Sequence, residues 1–284
     1  MPNARASAGT SETVLVDGMP AAQVASDDRG LLYGDGLFET VLFVDGAAPL
    51  WPRHLQRLTL GCARLRLPPP DVAELARESV LVAAGHARAV VRITLTRGSG
   101  PRGYAPPIAP QPRRIVAAHA APAPRLDWLR AGIRVGFCAT RLASQPLLAG
   151  LKHLNRLEQV LARAEWDDPA IAEGLMFDSA DHPVCATAAN LFAVVDGVLR
   201  TPALDHCGVA GVARAEVLAR CDGAVVAPLT RGELMRADEV FLSSSVRGIV
   251  PVAQTPDRSY GVGATTRALQ AAWFDLGLSP RVAG

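Results

Sequence analysis

Lys152 is the only lysine in a chain of 284 residues, and the other 28 of its 29 basic residues are arginine. Guanidinium stays protonated in proteins, so arginine alone can meet a need for positive charge but not a need for an amine that loses its proton. The solitary lysine is therefore a candidate nucleophile or base, set against the bland alternative of a composition that left one lysine by chance. Lys152 stands ahead of an apolar stripe, Leu154, Leu157, Val160, Leu161 and Ala164, which predicts an amphipathic helix with the lysine at its start. From there it can point into a cleft, where positive charge from Arg156 or His153 lowers its pKa.

Two further features suit an anion. Ala210-Gly211-Val212-Ala213-Arg214 turns into a predicted helix, whose first backbone N–H groups and positive dipole end can receive a phosphate. Ser243, Ser244 and Ser245 close a predicted strand and supply hydroxyl donors, although glycine and serine at element ends are mostly turn chemistry. With one lysine they outline a pyridoxal phosphate site, an amine for the aldehyde and a cup for the phosphate. Residues 98–103 match G-x-G-x-x-G and follow a strand, but a dinucleotide fingerprint must open a helix, and Tyr104-Ala105-Pro106-Pro107 follows instead. The loop, with Arg97, Arg102 and Tyr104, reads either as a carboxylate-binding loop or as a solvated surface loop.

The elements that must position these groups fall in two parts. The first has strands at Val14–Val16, 40–44 and 89–96, two of them followed by Asp-Gly turns, and helices at 54–65 and from Asp71, with Glu74 as capping-box partner. Residues 89–96 alternate, with Val91, Ile93 and Leu95 on one face and Arg92, Thr94 and Thr96 on the other. Pro/Ala-rich stretches at 106–112 and 120–124 invite a boundary. The second part has a strand through Ile133, Val135 and Phe137, strands at 175–178, 184–187, 191–195 and 239–242, and helices at Val212–Arg220 and 264–276. The expected division is a loose leader at 1–11, a small α+β domain at 12–118, a linker at 119–126 and a larger domain at 127–284.

A net charge of +2 with 5 % aromatics gives no surface built for nucleic acid. The five scattered cysteines, Cys62, Cys138, Cys185, Cys207 and Cys221, have no metal-site spacing and fit buried thiols in a reducing compartment. No stretch has the roughly 18 apolar residues of a membrane span, so a soluble cytoplasmic protein without a metal is expected.

The segments 28–40, 54–58, Ala189-Asn190-Leu191-Phe192, Thr201-Pro202 and Gly211-Val212-Ala213-Arg214 resemble the fold-type IV pyridoxal-phosphate enzymes, a family that includes branched-chain and D-amino acid aminotransferases and 4-amino-4-deoxychorismate lyase. The resemblance runs from about Val14 onward. Within the family, residues 148–161 and 97–104 look specifically like the lyase. D-amino acid aminotransferases resemble the second of these segments but carry a histidine where Tyr104 stands.

The resemblance implies a two-domain α+β / α/β fold with the cofactor, pyridoxal 5'-phosphate, in the interdomain cleft. It implies that Lys152 carries the cofactor and shuttles protons, and that Arg57, Gly211, Val212, Ala213 and Ser245 hold its phosphate. Cys185 and Asn190 are implied cofactor neighbours, and Arg97, Arg102, Tyr104, Tyr33 and Glu39 candidate substrate contacts. A homodimer with each cleft near the subunit interface is implied too. So is conversion of 4-amino-4-deoxychorismate to 4-aminobenzoate and pyruvate, with an aminotransferase or a catalytically decayed cofactor-binding homologue as rivals. Two residues depart from the pattern. Ala213 replaces the usual threonine, and Cys185 stands where the family usually has a glutamate facing the pyridine nitrogen, which makes the ring a weaker electron sink.

Overall fold

In the computed structural model, which describes residues 13–21 and 23–282, the alternation at residues 89–96 lies inside an antiparallel sheet. The first lobe comprises β1 (Val14–Val16), β2 (Met19–Pro20), α1 (Arg29–Tyr33), β3 (Gly36–Val44), α2 (Trp51–Leu65), α3 (Val72–Ala83), β4 (Arg88–Thr96) and β5 (Arg113–Ala120). Its strands are ordered β2-β1-β5-β4-β3, which leaves β3 at an edge. Val91, Ile93 and Leu95 are buried against Leu58 and Cys62 of α2 and Leu75 and Val82 of α3. Each such side chain removed from water contributes about 1.5–3 kcal/mol.

The Asp-Gly pairs at 17–18, 45–46 and 196–197 all turn with positive φ at both residues, the twist that suits a tight hairpin. Asp71 caps α3 by accepting the N–H of Glu74 at 3.0 Å, but the Glu74 carboxylate pairs with Arg77, so only half of the predicted capping box forms. The expected leader at 1–11 lies outside the described residues.

Residues 121–125 lead from β5 to α4 (Leu126–Ala131) and the second lobe. There follow β6 (Ile133–Leu142), α5 (Leu157–Arg163), β7 (Ile171–Asp178), β8 (Pro183–Ala186), β9 (Asn190–Val195), β10 (Val198–Thr201) and α6 (Val212–Arg220). The chain then runs through β11 (Val225–Val226), α7 (Arg231–Arg236), β12 (Glu239–Ser244), β13 (Gly248–Gln254) and α8 (Ala264–Asp275). The sheet order is β11-β10-β9-β12-β13-β6-β7-β8, and a further pairing of β8 with β9 closes six strands into a barrel. Val135, Leu175, Phe177, Leu191, Leu242 and Val252 belong to one buried cluster, while Phe192 and Phe241 pack on the other face with Val217 of α6 and Trp273 of α8.

The helix expected to start at Lys152 starts instead at Leu157, and its apolar stripe does not face the core. Leu157, Val160 and Leu161 are 75 %, 60 % and 60 % exposed, and Ala162 is the residue of α5 that is buried. Strand β13 escapes the pattern because Pro251 interrupts it, one residue before its first registered pair with β6, Val252 with Ile133. All five cysteines are free thiols. Among the described residues no helix is long and apolar enough to cross a membrane.

Candidate functional site

Lys152 is placed by backbone pairing rather than by a helix. The Phe38 N–H donates to the Lys152 carbonyl at 2.9 Å and the Leu154 N–H to the Gly36 carbonyl at 3.1 Å, so residues 152–154 extend the open edge of β3. On the other side the Gly150 N–H donates to the Gly208 carbonyl at 2.9 Å and the Ala210 N–H to the Gly150 carbonyl at 3.0 Å. The lysine segment thereby stitches the first sheet to the turn that precedes α6. Its Nζ lies 4.1 Å from the centroid of the Phe38 ring, against which the Arg92 guanidinium also packs at 4.2 Å.

Burial, and next the Arg57 charge, push the Lys152 amine down from 10.5 to about 7, with Arg156 and Arg92 adding to the effect and Glu39 opposing it. Arg156 thus acts as the sequence suggests, and His153 does not. Burial first, then Arg156, hold the His153 imidazole at about 4, so it is neutral near pH 7, with its Nε2 at 2.6 Å from Arg156 Nη2.

Glu39, one residue along β3 from Phe38, is 1 % exposed and contributes nothing to the cleft lining, so it is not placed to touch a substrate. Its carboxylate accepts from Arg57 Nε at 2.8 Å, from Arg57 Nη2, and lies 2.6 Å from His54 Nδ1. Burial alone would raise the Glu39 pKa, but Arg57 and His54 outweigh it and bring it down to about 2. The buried carboxylate is a bracket that fixes the direction of Arg57, whose Nη1 donates to the Ala210 carbonyl at 3.1 Å.

Between the lobes lies a cleft of about 740 Å³, lined among others by Lys152, Arg57, Cys185 and Ser243 to Ser245. Gly211, Val212 and Ala213 bring the first turn of α6 to its wall, and no side chain caps that helix. Gly211 is required there: an added Cβ would stand 1.9 Å from Asn190 Oδ1, while Asn190 Nδ2 holds the turn by donating to the Val209 carbonyl at 2.8 Å. The Ser245 hydroxyl donates to the Thr40 carbonyl at 2.9 Å and so ties the serine turn to β3, whereas the buried Ser243 Oγ has no partner among the described residues. Free helix N–H groups, a bracketed arginine and an unpartnered hydroxyl fit a phosphate, and the deep amine fits an aldehyde. Cys185, 6 % exposed beside Cys138, Cys207 and Met176, has its thiol pushed up to about 12 by burial and stays neutral.

The expected substrate arginine Arg97 is turned away from this cleft. Its guanidinium donates to Asp35 at 2.7 Å and to the Leu65 and Arg66 carbonyls, away from the cleft lining. Tyr33, Arg102 and Tyr104 do not line the cleft of the single chain either. Tyr33 and Tyr104 meet edge to face with centroids 5.5 Å apart, and Tyr104 is 86 % exposed. Buried Arg29 shapes that loop by donating to the carbonyls of Gly103, Tyr104 and Ala105, with its Nε on Asp35 at 3.0 Å. Sequence reasoning missed Phe38, Arg92 and Arg247 of the cleft wall. The signal for Arg92 was present as an arginine on the face of β4 opposite its buried apolar residues.

The aminotransferase class IV family matches residues 36–255. Aminodeoxychorismate lyase of Vibrio harveyi is 37 % identical over 263 residues, covering 90 % of this chain and 97 % of that protein. The crystal structure of 4-amino-4-deoxychorismate lyase from Pseudomonas aeruginosa superposes with a TM-score of 0.88 at 49 % identity, covering 92 % of this chain and 98 % of that one. That of the Escherichia coli branched-chain amino acid aminotransferase gives 0.81 at 26 % identity, covering 96 % and 97 %. The matched span begins at the strand that carries Phe38 and Glu39 and ends beyond the serine turn, so the whole cleft wall falls inside it, and the chain belongs to the aminotransferase class IV family with the fold-type IV architecture.

Proposed function

We propose that this chain is a pyridoxal 5'-phosphate-dependent lyase that converts 4-amino-4-deoxychorismate to 4-aminobenzoate and pyruvate, a step of folate biosynthesis. The observation that carries the reading is Lys152, the chain's one lysine, half-buried at the cleft wall with its pKa brought to about 7. Similarity to lyases over nine-tenths of the chain supports the choice of reaction.

Arg57, the first N–H groups of α6 and the serine turn would hold the phosphate, and Lys152 the aldehyde carbon. The cofactor supplies, when bound, an aldehyde that captures an amine and an electron-withdrawing ring that acidifies the C–H beside the captured nitrogen. With its pKa near 7, Lys152 is poised to take the ring proton from the carbon bearing the substrate nitrogen. Loss of that proton with cleavage of the bond to the enolpyruvyl oxygen leaves an aromatic ring, and the released enol becomes pyruvate. Neutral Cys185 suits this reaction better than transamination, because aromatisation drives the elimination and a weaker electron sink suffices.

The same reading expects a homodimer. Leu157, Val160 and Leu161 form an apolar face at i, i+3 and i+4 that nothing among the described residues covers, which a second copy would bury. Sedimentation of the holoenzyme at twice the chain's 29.8 kDa is the expected result.

A coupled assay decides the activity. Equal amounts of 4-aminobenzoate and pyruvate are expected, with little conversion of the cofactor to its pyridoxamine form when an amino donor is added alone. Stoichiometric conversion by the donor would instead identify an aminotransferase. Bound cofactor with no 4-aminobenzoate above background would identify a decayed homologue.

A further inference from the structure

Of the cleft arginines outside the phosphate cup, Arg92, Arg156, Arg163 and Arg247, the last is the one that a buried carboxylate anchors among the described residues. Arg247 closes the turn between β12 and β13, where its N–H donates to Ser244 Oγ at 3.1 Å, and its side chain lines the cleft. Its Nη1 donates to Glu173 Oε2 at 3.0 Å. Glu173 stands on β7 two residues before Leu175, on the face that fills the barrel, and is 2 % exposed. Its other carboxylate oxygen accepts from the hydroxyl of Thr187, a second cleft residue, and from the Gly174 N–H at 3.2 Å. A buried carboxylate at the barrel mouth therefore pins one corner of the guanidinium. The other guanidinium donors have no partner among the described residues, and the side chain stays 36 % exposed. A planar fork with one corner anchored and one edge free is preorganised for a carboxylate, and Arg92 and Arg156 on the same cleft wall supply positive charge that Glu173 does not offset.

We propose that Arg247 binds a carboxylate of the substrate, with Glu173 and Thr187 as the residues that fix its direction. This rests on the lyase reading, in which the substrate carries a ring carboxylate and an enolpyruvyl carboxylate. Neither changes during the elimination, so Arg247 contributes binding shared by ground and transition states and acts on KM more than on kcat. Specificity follows: the arginine favours anionic substrates over their amides or esters, because an uncharged carbonyl offers one neutral acceptor in place of a charged, bidentate pair.

The test compares wild-type holoenzyme with Arg247→Gln, Arg247→Lys and Glu173→Gln, measuring steady-state kinetics together with the affinity of 4-aminobenzoate and of pyruvate read from cofactor absorbance. Arg247→Gln is expected to raise KM about tenfold or more, with a much smaller change in kcat, and to weaken one of the two product acids by a similar factor. The acid that weakens identifies which carboxylate is bound. Arg247→Lys keeps the charge without the fork and falls between. Glu173→Gln shifts KM in the same direction, whereas a plug of the barrel mouth with no substrate role would alter stability alone. Unchanged KM in Arg247→Gln, or unchanged affinity for both acids, overturns the proposal. If the wild type makes no 4-aminobenzoate, the lyase reading fails, while acid binding without turnover still decides the role of Arg247.

Discussion

Lys152 and Phe38 are held together twice: the Phe38 N–H donates to the Lys152 carbonyl at 2.9 Å, and the Lys152 amine rests 4.1 Å from the centre of the Phe38 ring. The backbone bond sets the register of the lysine segment against β3, and the ring is apolar surface that takes the place of water around the ammonium. A cation–π contact contributes only about 0.5–2 kcal/mol, too little to offset desolvation, so the balance falls toward the neutral amine.

That balance makes the stability of the cofactor-free protein depend on pH. The unfolded lysine keeps its proton up to about 10.5 and the folded one releases it at about 7, so between these values the unfolded state binds one more proton. Stability conferred by this group is therefore lowest below pH 7 and rises as pH increases from 7 toward 10.5. Urea unfolding of the apoprotein between pH 6 and 9.5 should show this slope, and Lys152→Met should remove it while raising stability most at pH 6. Parallel profiles for the two proteins would mean that the amine titrates normally in the fold.

Covalent attachment is the second expectation. Borohydride reduction of the holoenzyme followed by peptide mapping should place a pyridoxyl group on the peptide that carries Lys152, and Lys152→Arg should carry none, since guanidinium does not lose its proton. A pyridoxyl group absent from Lys152 in wild-type protein would sink the assignment of the cleft.

Glu39→Gln tests the bracket behind the phosphate cup. Glutamine keeps the size but not the charge that orients Arg57 and meets His54, so cofactor affinity should fall by about tenfold to a hundredfold, the scale of one charge-assisted contact. The same residue predicts acid behaviour. Its folded pKa of about 2 lies below the ordinary 4.5, so its contribution is complete above 4.5 and is lost as pH falls toward 2. Equilibrium dialysis of the cofactor and acid unfolding of the variant check the two effects, and wild-type values for both would show Arg57 to be held without Glu39.

How far the sequence carried this reading differs from element to element. The alternation at residues 89–96 and the Asp-Gly turns at 17–18 and 45–46 are local signals with one physical solution, and they form as expected. The uniqueness of Lys152 singles out the amine that the fold sets in the cleft wall, because composition shows which residue is alone of its type wherever it is placed. The stripe from Leu154 to Ala164 is periodic for a helix, yet periodicity identifies an apolar face without saying what covers it, and α5 turns that face outward. His54 and Arg57 lie one turn apart on α2, but their shared ion pair with Glu39, 15 and 18 residues earlier in the chain, depends on α2 crossing β3, which no local pattern encodes. Arg97 misled for the opposite reason: an arginine in a glycine loop looks free until Asp35 and two helix-end carbonyls are brought to it from other elements.

The turn before α6 gives a prediction about close approach. Gly211→Ala drives a methyl group into the Asn190 amide oxygen, whereas Asn190→Ala removes that obstacle but also the hydrogen bond to the Val209 carbonyl. Each single variant should lower cofactor affinity, with Gly211→Ala the more severe, and the double variant should lose less than the sum of the two. Because the residues touch, this coupling is expected at about 0.5–3 kcal/mol in a double-mutant cycle. Strict additivity would show that the alanine is accommodated without meeting Asn190.

Cys185→Glu addresses the electronic character of the cleft. The thiol is neutral at working pH, being buried and raised to about 12, and a glutamate in its place would bring a carboxylate to the same wall among Cys138, Cys207 and Met176. Two effects then compete: burial among thiols raises the new carboxyl's pKa, while Arg156, whose charge already reaches Cys185, lowers it. If the charge of Arg156 and a protonated pyridine nitrogen prevail, the carboxylate is ionised and the ring becomes the stronger electron sink. The variant should then show an altered pH titration of cofactor absorbance and faster conversion to the pyridoxamine form by an amino donor, with the lyase reaction changed less. A titration and a donor half-reaction identical to wild type would show that Cys185 does not face the pyridine nitrogen, and its neutrality would no longer favour elimination over transamination.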